Sequence, residues 1–289
     1  MKQLFTVMAL IVFCTAINAQ TDTAVIPKSD TISIGNIIID KTGDKNEPES
    51  KSININIFKK DRKNKSKNIS TNWCIVDLGF SNYTDKTNYA NTGGYLYNRS
   101  GAAPLGESDF DLNVGKSINV NIWFFMQRLN LIKQHVNLKY GLGLELNNYR
   151  YKSAVSYLDQ NPFVNGQAPR PVIIRDSISF SKNKLAADYI TVPFLINFCT
   201  HPESKHKGFS VSLGVSAGYL YSQRNKQISD ARGKQKNNGG FDLEQFKFSY
   251  IGEIGLGPVT LYGSYAPTSF YKTGLDMRPY SLGIRLSNW

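Results

Sequence analysis

Six charged residues stand out because their spacing puts each on the polar side of an alternating segment: Asp77, Lys139, Glu145, Lys247, Glu253 and Arg285. Side chains of a strand point alternately to its two faces, so residues two apart share a face. Lys139 and Glu145 are interleaved with Leu138, Tyr140, Leu142, Leu144 and Leu146, and Arg285 with Leu282, Ile284 and Leu286. Three acids and three bases in one interior suit a salt-bridged plug. Such a pair has about 4 kcal/mol of raw attraction at about 4 Å and an effective dielectric near 20, before desolvation is subtracted. The other chemistry open to this set is a gated path for protons or small solutes.

Other reactive residue types give less. His135, His201 and His206 all fall in or beside turns on the side away from the expected outer leaflet. A lipid-modifying enzyme would place its base near that leaflet with a nucleophile in reach, so no catalytic residue is expected. His201, Glu203 and His206 have metal-ligand side chains but sit with Pro202 and two lysines in a short polar turn, which reads as solvated turn chemistry. No metal and no cofactor is expected. Gly141-Leu142-Gly143 is not a nucleotide loop, because its glycines alternate into one face and no helix follows. Cys74 and Cys199 fall on the first and fourth expected strands, which are not neighbours in an eight-stranded ring. A disulfide needs Cα atoms within about 7 Å, so two free thiols are expected.

The elements that position these residues are alternating segments near 73–80, 110–128, 136–151, 185–199, 208–223, 244–256, 259–267 and 278–288. Connectors at 81–109, 152–184, 224–243 and 268–277 are long, and those between them are short. Even strand number, short turns at one end and long loops at the other describe a bacterial outer-membrane barrel. The fold class is therefore all-β, an eight-stranded antiparallel up-and-down transmembrane β-barrel. Ile118, Val120, Ile122, Phe124, Val211, Leu213, Val215, Leu282, Ile284 and Leu286 are assigned outward, and Asn119, Asn121, Ser212, Ser216, Ser281 and Ser287 inward. Tyr149, Tyr189, Tyr221, Tyr265 and Tyr280 are expected as an outer aromatic girdle, with Trp123, Phe198, Phe209 and Trp289 near the inner one.

Residues 1–19 read as a signal peptide: Met1-Lys2-Gln3, an apolar run from Leu4 to Phe13, and a small residue at Ala19. Residues 20–72 form a polar periplasmic linker, flexible or carrying a small hairpin from Thr31–Asp40 and Ser52–Phe58. Residues 73–289 form the barrel. The net charge of +12 owes much to a basic run from Lys59 to Lys67. Without interleaved aromatics in an exported chain, that run is a solvated linker and no nucleic-acid partner is expected. Arg224, Lys226, Arg232, Lys234 and Lys236 in the 224–243 loop face an anionic surface of outer-membrane lipid and lipopolysaccharide, as structural ties or a ligand site.

Two stretches resemble the PorT-like outer-membrane β-barrel family of Bacteroidota. One is Asp188-Tyr189-Ile190-Thr191-Val192-Pro193-Phe194-Leu195, similar to that family's Tyr-aliphatic-x-aliphatic-Pro strand. The other is Gly141-Leu142-Gly143-Leu144-Glu145-Leu146 after Asn119-Val120-Asn121. The resemblance covers about residues 73–289 and rests on strand signatures. It implies an eight-stranded barrel, with protein secretion across the outer membrane as the one specific function. The expectation is a non-enzymatic scaffold in the cell outer membrane that contacts other envelope or secretion proteins. A narrow channel for ions or small solutes is the alternative.

Overall fold

The computed structural model of the chain describes residues 31–34, 37–40, 54–57, 68–101, 103–162, 170–200 and 208–286. The chain divides into two units, 1–66 and 67–289. In the first, β1 (Thr31–Ile34), β2 (Ile37–Asp40) and β3 (Asn54–Ile57) pair antiparallel with β2 central. Ile37 lies opposite Ile57, and Ile39 opposite Ile55. The sequence favours at most a hairpin here; the third strand supplies what an isolated hairpin lacks. The expected signal peptide and the basic run lie outside the described residues.

The second unit contains β4 (Ile69–Asp85), β5 (Leu96–Tyr97), β6 (Ile118–Ile132), β7 (Val136–Arg150), β8 (Val155–Leu158), β9 (Val172–Arg175), β10 (Lys182–Cys199), β11 (Phe209–Ser229), β12 (Gly233–Asn237), β13 (Phe246–Leu256), β14 (Val259–Tyr265) and β15 (Met277–Leu286). Eight of them form a ring in chain order, β4-β6-β7-β10-β11-β13-β14-β15, all antiparallel, and β15 pairs with β4 to close it. A closed ring leaves no unpaired backbone edge facing lipid. The expected strands are present with shifted ends. The first runs 69–85 rather than 73–80. The second begins at 118 rather than 110, because Glu107–Phe110 and Val114–Lys116 are 3-10 turns.

Alternation decides the faces. On β7, Val136 to Leu146 alternate outward while Asn137, Lys139, Glu145 and Asn147 are buried inward. That span of ten steps is about 34 Å of strand, or about 25 Å of height at a tilt near 40°. Leu78, Phe80, Val192, Phe194, Leu213, Val215, Leu282 and Ile284 are exposed on the same band. The side chain of Leu286 and residues 287–289, including Ser287 and Trp289, lie outside the described residues.

Three girdle assignments are corrected. Tyr149, Tyr189 and Trp123 are buried inside the ring, not lipid-facing. Their parity is that of Glu145, Thr191 and Asn121, so the pleat turns them inward. Tyr221, Tyr265, Phe198 and Phe209 are exposed. Tyr280 is half-buried, with its hydroxyl accepting from the Asn82 amide at 3.0 Å. Besides a register shift between Asn130 and Ile132 at the end of β6, two β-bulges reset the parity within the wall. One lies between Trp123 and Phe125 on β6, opposite Cys74, whose φ is +55°. The other lies where β11 gains a residue opposite Asp188 and Tyr189. Below Asn121 the inward sequence therefore passes to Trp123 and Met126, which pack with Ile75. Cys74 and Cys199 are free thiols.

The long connectors fold into a cap over the outer end. β8 and β9 form a hairpin and β5 adds a parallel strand to β9. β12 folds back on the outer end of β11, in a segment expected as loop. Beneath these strands lies a core that includes Tyr95, Phe110, Tyr151, Val155, Tyr157, Ile173, Phe241, Phe270 and Tyr271, joined by Tyr149, Leu185 and Tyr189 from the ring.

Candidate functional site

The lumen at mid-height is the strongest concentration of chemistry in the barrel. All six charges named from the sequence lie there, each less than a tenth exposed. Arg285 on β15 grips Asp77 on β4 with two bonds, Nε to Oδ1 at 2.5 Å and Nη2 to Oδ2 at 2.8 Å. The two residues are direct cross-strand partners, so the seam of the ring supplies this contact. The third donor of Arg285 used here, Nη1, reaches Glu253 Oε1 at 2.6 Å. Glu253 turns its other oxygen to Lys139 Nζ at 3.0 Å, and Lys139 also donates to Ser212 Oγ at 3.1 Å. Four charges on β4, β15, β13 and β7 thus form one chain across the barrel.

A second rung lies above. Lys247 on β13 pairs with Glu145 on β7 and stands 4.6 Å from the centre of the Tyr189 ring. Glu145 accepts further from Asn147 Nδ2 at 3.1 Å and Thr191 Oγ1 at 3.3 Å. β7 and β13 are not neighbours in the ring, so both rungs span the lumen. Each strand carries one lysine and one glutamate six positions apart, in opposite order along the antiparallel pair. A shift of either strand would put like charges together or leave charges unpaired, so the two rungs specify one arrangement.

Polar neighbours complete the satisfaction that buried charges require. Asp77 Oδ2 also accepts from the Trp123 indole at 2.7 Å and from Asn121 Nδ2 at 3.3 Å. The sequence reading missed Trp123 in this role; its shared parity with Asn119 and Asn121 is the signal that finds it. Tyr262 on β14 crosses β15 and β4 to donate to Asn119 Oδ1 on β6 at 2.5 Å. It passes over Gly283 and Gly79, which face each other; a Cβ on Gly79 would lie 2.6 Å from the Tyr262 hydroxyl and 2.3 Å from the Leu282 carbonyl oxygen. Glycine is required there for close approach. The cavity left beside the network is about 30 Å³, lined in part by Asp77, Trp123, Met126, Glu145, Glu253 and Arg285. That is room for a water or two.

Above the charges the interior becomes aromatic. Tyr157 exchanges hydroxyl contacts with Tyr151 at 2.5 Å and Tyr271 at 2.6 Å, and Tyr149 stacks on Phe270 with centroids 5.2 Å apart. Burial pushes the Tyr151 hydroxyl up to about 12, so it stays protonated at neutral pH. Arg175 on β9 ties to Asp109 at 2.5 Å, and Arg232 ties the tip of β11–β12 to Asp176 at 2.7 Å. Among the described residues no cluster of His, Cys, Asp and Glu has the geometry to hold a metal ion. His135 is exposed at a turn, its Nδ1 2.8 Å from the Cys199 carbonyl oxygen, while His201, Glu203 and His206 lie outside the described residues.

With this geometry in hand, the comparisons are specific at the level of family. The outer membrane protein beta-barrel domain family matches residues 76–270, and the chain belongs to that family. It is accordingly a protein of the outer membrane. No curated protein matches the sequence. Two crystal structures of Ail, the attachment invasion locus protein of Yersinia pestis, are similar at 10% identity. One has a TM-score of 0.28; the other, with the heparin analogue sucrose octasulfate bound, has 0.27. Each comparison covers 74% of this chain and 96% of Ail.

Proposed function

We propose that the protein is a non-enzymatic, non-conducting scaffold of the outer membrane that holds a rigid cap for contact with other envelope proteins. The observation that carries this reading is the pair of charged rungs between β7 and β13, which cross the lumen directly beneath the packed cap. An eight-stranded barrel is just wide enough for its side chains to fill. Here Arg285, Lys139, Glu145, Lys247 and Trp123 occupy the bore, and Ile75, Trp123 and Met126 add an apolar layer below.

The cap is built for presentation. Its strands rest on a continuous apolar core, so its outer surface has a fixed shape rather than that of loose loops. Accessory service in protein secretion is the version implied by the PorT-like resemblance at Asp188–Leu195 and Gly141–Leu146.

Reconstitution into planar bilayers tests the closed lumen against a narrow channel. The expected result is no steady conductance for the unaltered barrel, and lower heat stability for variants neutralised at Lys139, Glu145, Glu253 or Arg285. Steady ion current through the unaltered barrel, altered in selectivity by those same changes, would establish the channel instead. Photo-crosslinkers at exposed cap positions such as Ser177 and Asp230 test the scaffold; their failure to capture any envelope protein in cells would count against it.

A further inference from the structure

Four cations stand in one cross-strand row on the outward face of the barrel, just above its apolar band. Arg150 on β7 lies directly opposite Lys184 on β10, Lys184 opposite Lys226 on β11, and Lys226 opposite Lys236 on β12. Lys182 and Lys234 flank the row through Ile228, their shared partner on β11. The inward face of these strands is taken by Asn183, Asn225 and Gln227, all buried, so the cations point away from the lumen together. Directly opposite side chains have Cβ atoms about 5 Å apart, and like charges in that position oppose folding. The described ion pairs do not relieve them. Asp188, the carboxylate on the outward rows of these strands above the band, is taken by Arg224 at 2.8 Å. Lys184 donates to the Asn148 side-chain oxygen and Arg150 to the Ser181 carbonyl, both neutral.

We propose that this row binds the phosphate groups of a phosphorylated glycolipid in the outer leaflet. Position selects a lipid over a soluble anion. Arg150 lies four residues past Leu146, the last apolar outward residue of β7, which is about 13 Å of strand or about 10 Å of height. Lysine and arginine side chains extend along such a surface and reach down to the headgroup level. The acyl chains of the same lipid would cover Ile190, Val192 and Phe194 of β10.

The crowding of charge agrees with this occupant. Lys184 is crowded by Lys182, Lys226 and Arg224, and Lys226 by Lys234 and Lys182. A bound phosphate reverses that crowding.

The test uses the full-length protein in detergent with three probes: a bisphosphorylated glucosamine-disaccharide lipid, the same lipid dephosphorylated, and inorganic phosphate. Retained lipid and the temperature of the heat-induced gel shift are read for each. Lys184→Gln/Lys226→Gln/Lys236→Gln is compared with a charge-matched control, Lys86→Gln/Lys152→Gln/Lys272→Gln. Lys226→Gln alone provides a milder variant that keeps a folded barrel. The expected result is stabilisation by the phosphorylated lipid alone, about tenfold or more weaker binding in the row variant, a smaller loss in Lys226→Gln, and no loss in the control. Equal binding of the dephosphorylated lipid, full reproduction by inorganic phosphate, or unchanged affinity in both row variants would overturn the proposal.

Discussion

Lumen and cap are two parts of one interior, walled by the same strands and filled by opposite chemistry. At mid-height the filling is ionic: every carboxylate there has a cation and further donors, as with Asp77, Arg285 and Trp123. Towards the outer end, at Tyr149, four residues beyond Glu145, and at Tyr189, two residues from Thr191, it becomes aromatic. A buried ion pair contributes little net stability, because desolvation offsets most of the attraction, but its disruption is costly. Apolar packing stabilises in proportion to area and tolerates rearrangement. The lumen therefore specifies which strand faces which, and the cap supplies stability that is local to the outer end.

The contrast breaks most sharply at Arg285. Arg285→Met leaves Asp77 without a cation and Glu253 with Lys139 alone, and a loss of about 3–5 kcal/mol is expected across the whole barrel. Adding Asp77→Leu, with Glu253 left paired to Lys139, should recover most of it, read as the midpoint of the heat-induced gel shift. Next in size, Phe241→Ala in the cap should cost about 3 kcal/mol. That loss should appear as protease cleavage near β8 and β12, while the gel shift barely moves. If Phe241→Ala lowers the gel-shift midpoint as far as Arg285→Met does, cap and lumen are one cooperative unit.

The alternation that puts Glu145 inward also puts Tyr149 inward, so the polar face of the ring was legible in the sequence. At Tyr149, Tyr189 and Trp123 the girdle assignment went astray by weighing residue type over parity. The bulges at Trp123/Phe125 and at Asp188/Tyr189 were not legible, because a single inserted residue leaves no compositional trace. Nor was the cap. Phe110, Val155, Ile173, Phe241 and Tyr271 come from separate loops without any period, and only tertiary packing brings them together. The six lumen charges were legible as a set, yet which acid meets which base depended on the order of strands around the ring.

Two finer measurements sharpen the comparison. Glu145→Lys and Lys247→Glu should each be strongly destabilising alone. Combined, they should be less so than the sum, with a coupling of about 2 kcal/mol in a double-mutant cycle. The smallest effect belongs to the cap's Asp176. Burial raises its carboxyl, but the Arg232 hydrogen bonds and the Ile178 and Ser156 donors outweigh that and hold it below the usual carboxylate range. A lowered folded value means its contribution is complete above the unfolded pKa of about 3.9 and is lost as pH falls through the folded value. With Arg232 nearly half exposed, less than about 1 kcal/mol is expected. Cap proteolysis should rise below about pH 4 in the native protein, and Asp176→Asn should flatten that dependence.

The Asp77–Arg285 contact joins residues 208 positions apart, on the two strands whose pairing closes the ring. Closing so long a loop costs about 5 kcal/mol of chain entropy on the logarithmic scale before the pairing is rewarded. The ring is then the slow, late step of acquisition, and its reward is concentrated in one bidentate grip that forms only when the register is right. Until that latch engages, two strand edges lie open to any other extended segment. An Arg285 variant should therefore show its defect first as slow assembly and off-pathway pairing, before any loss in the finished barrel.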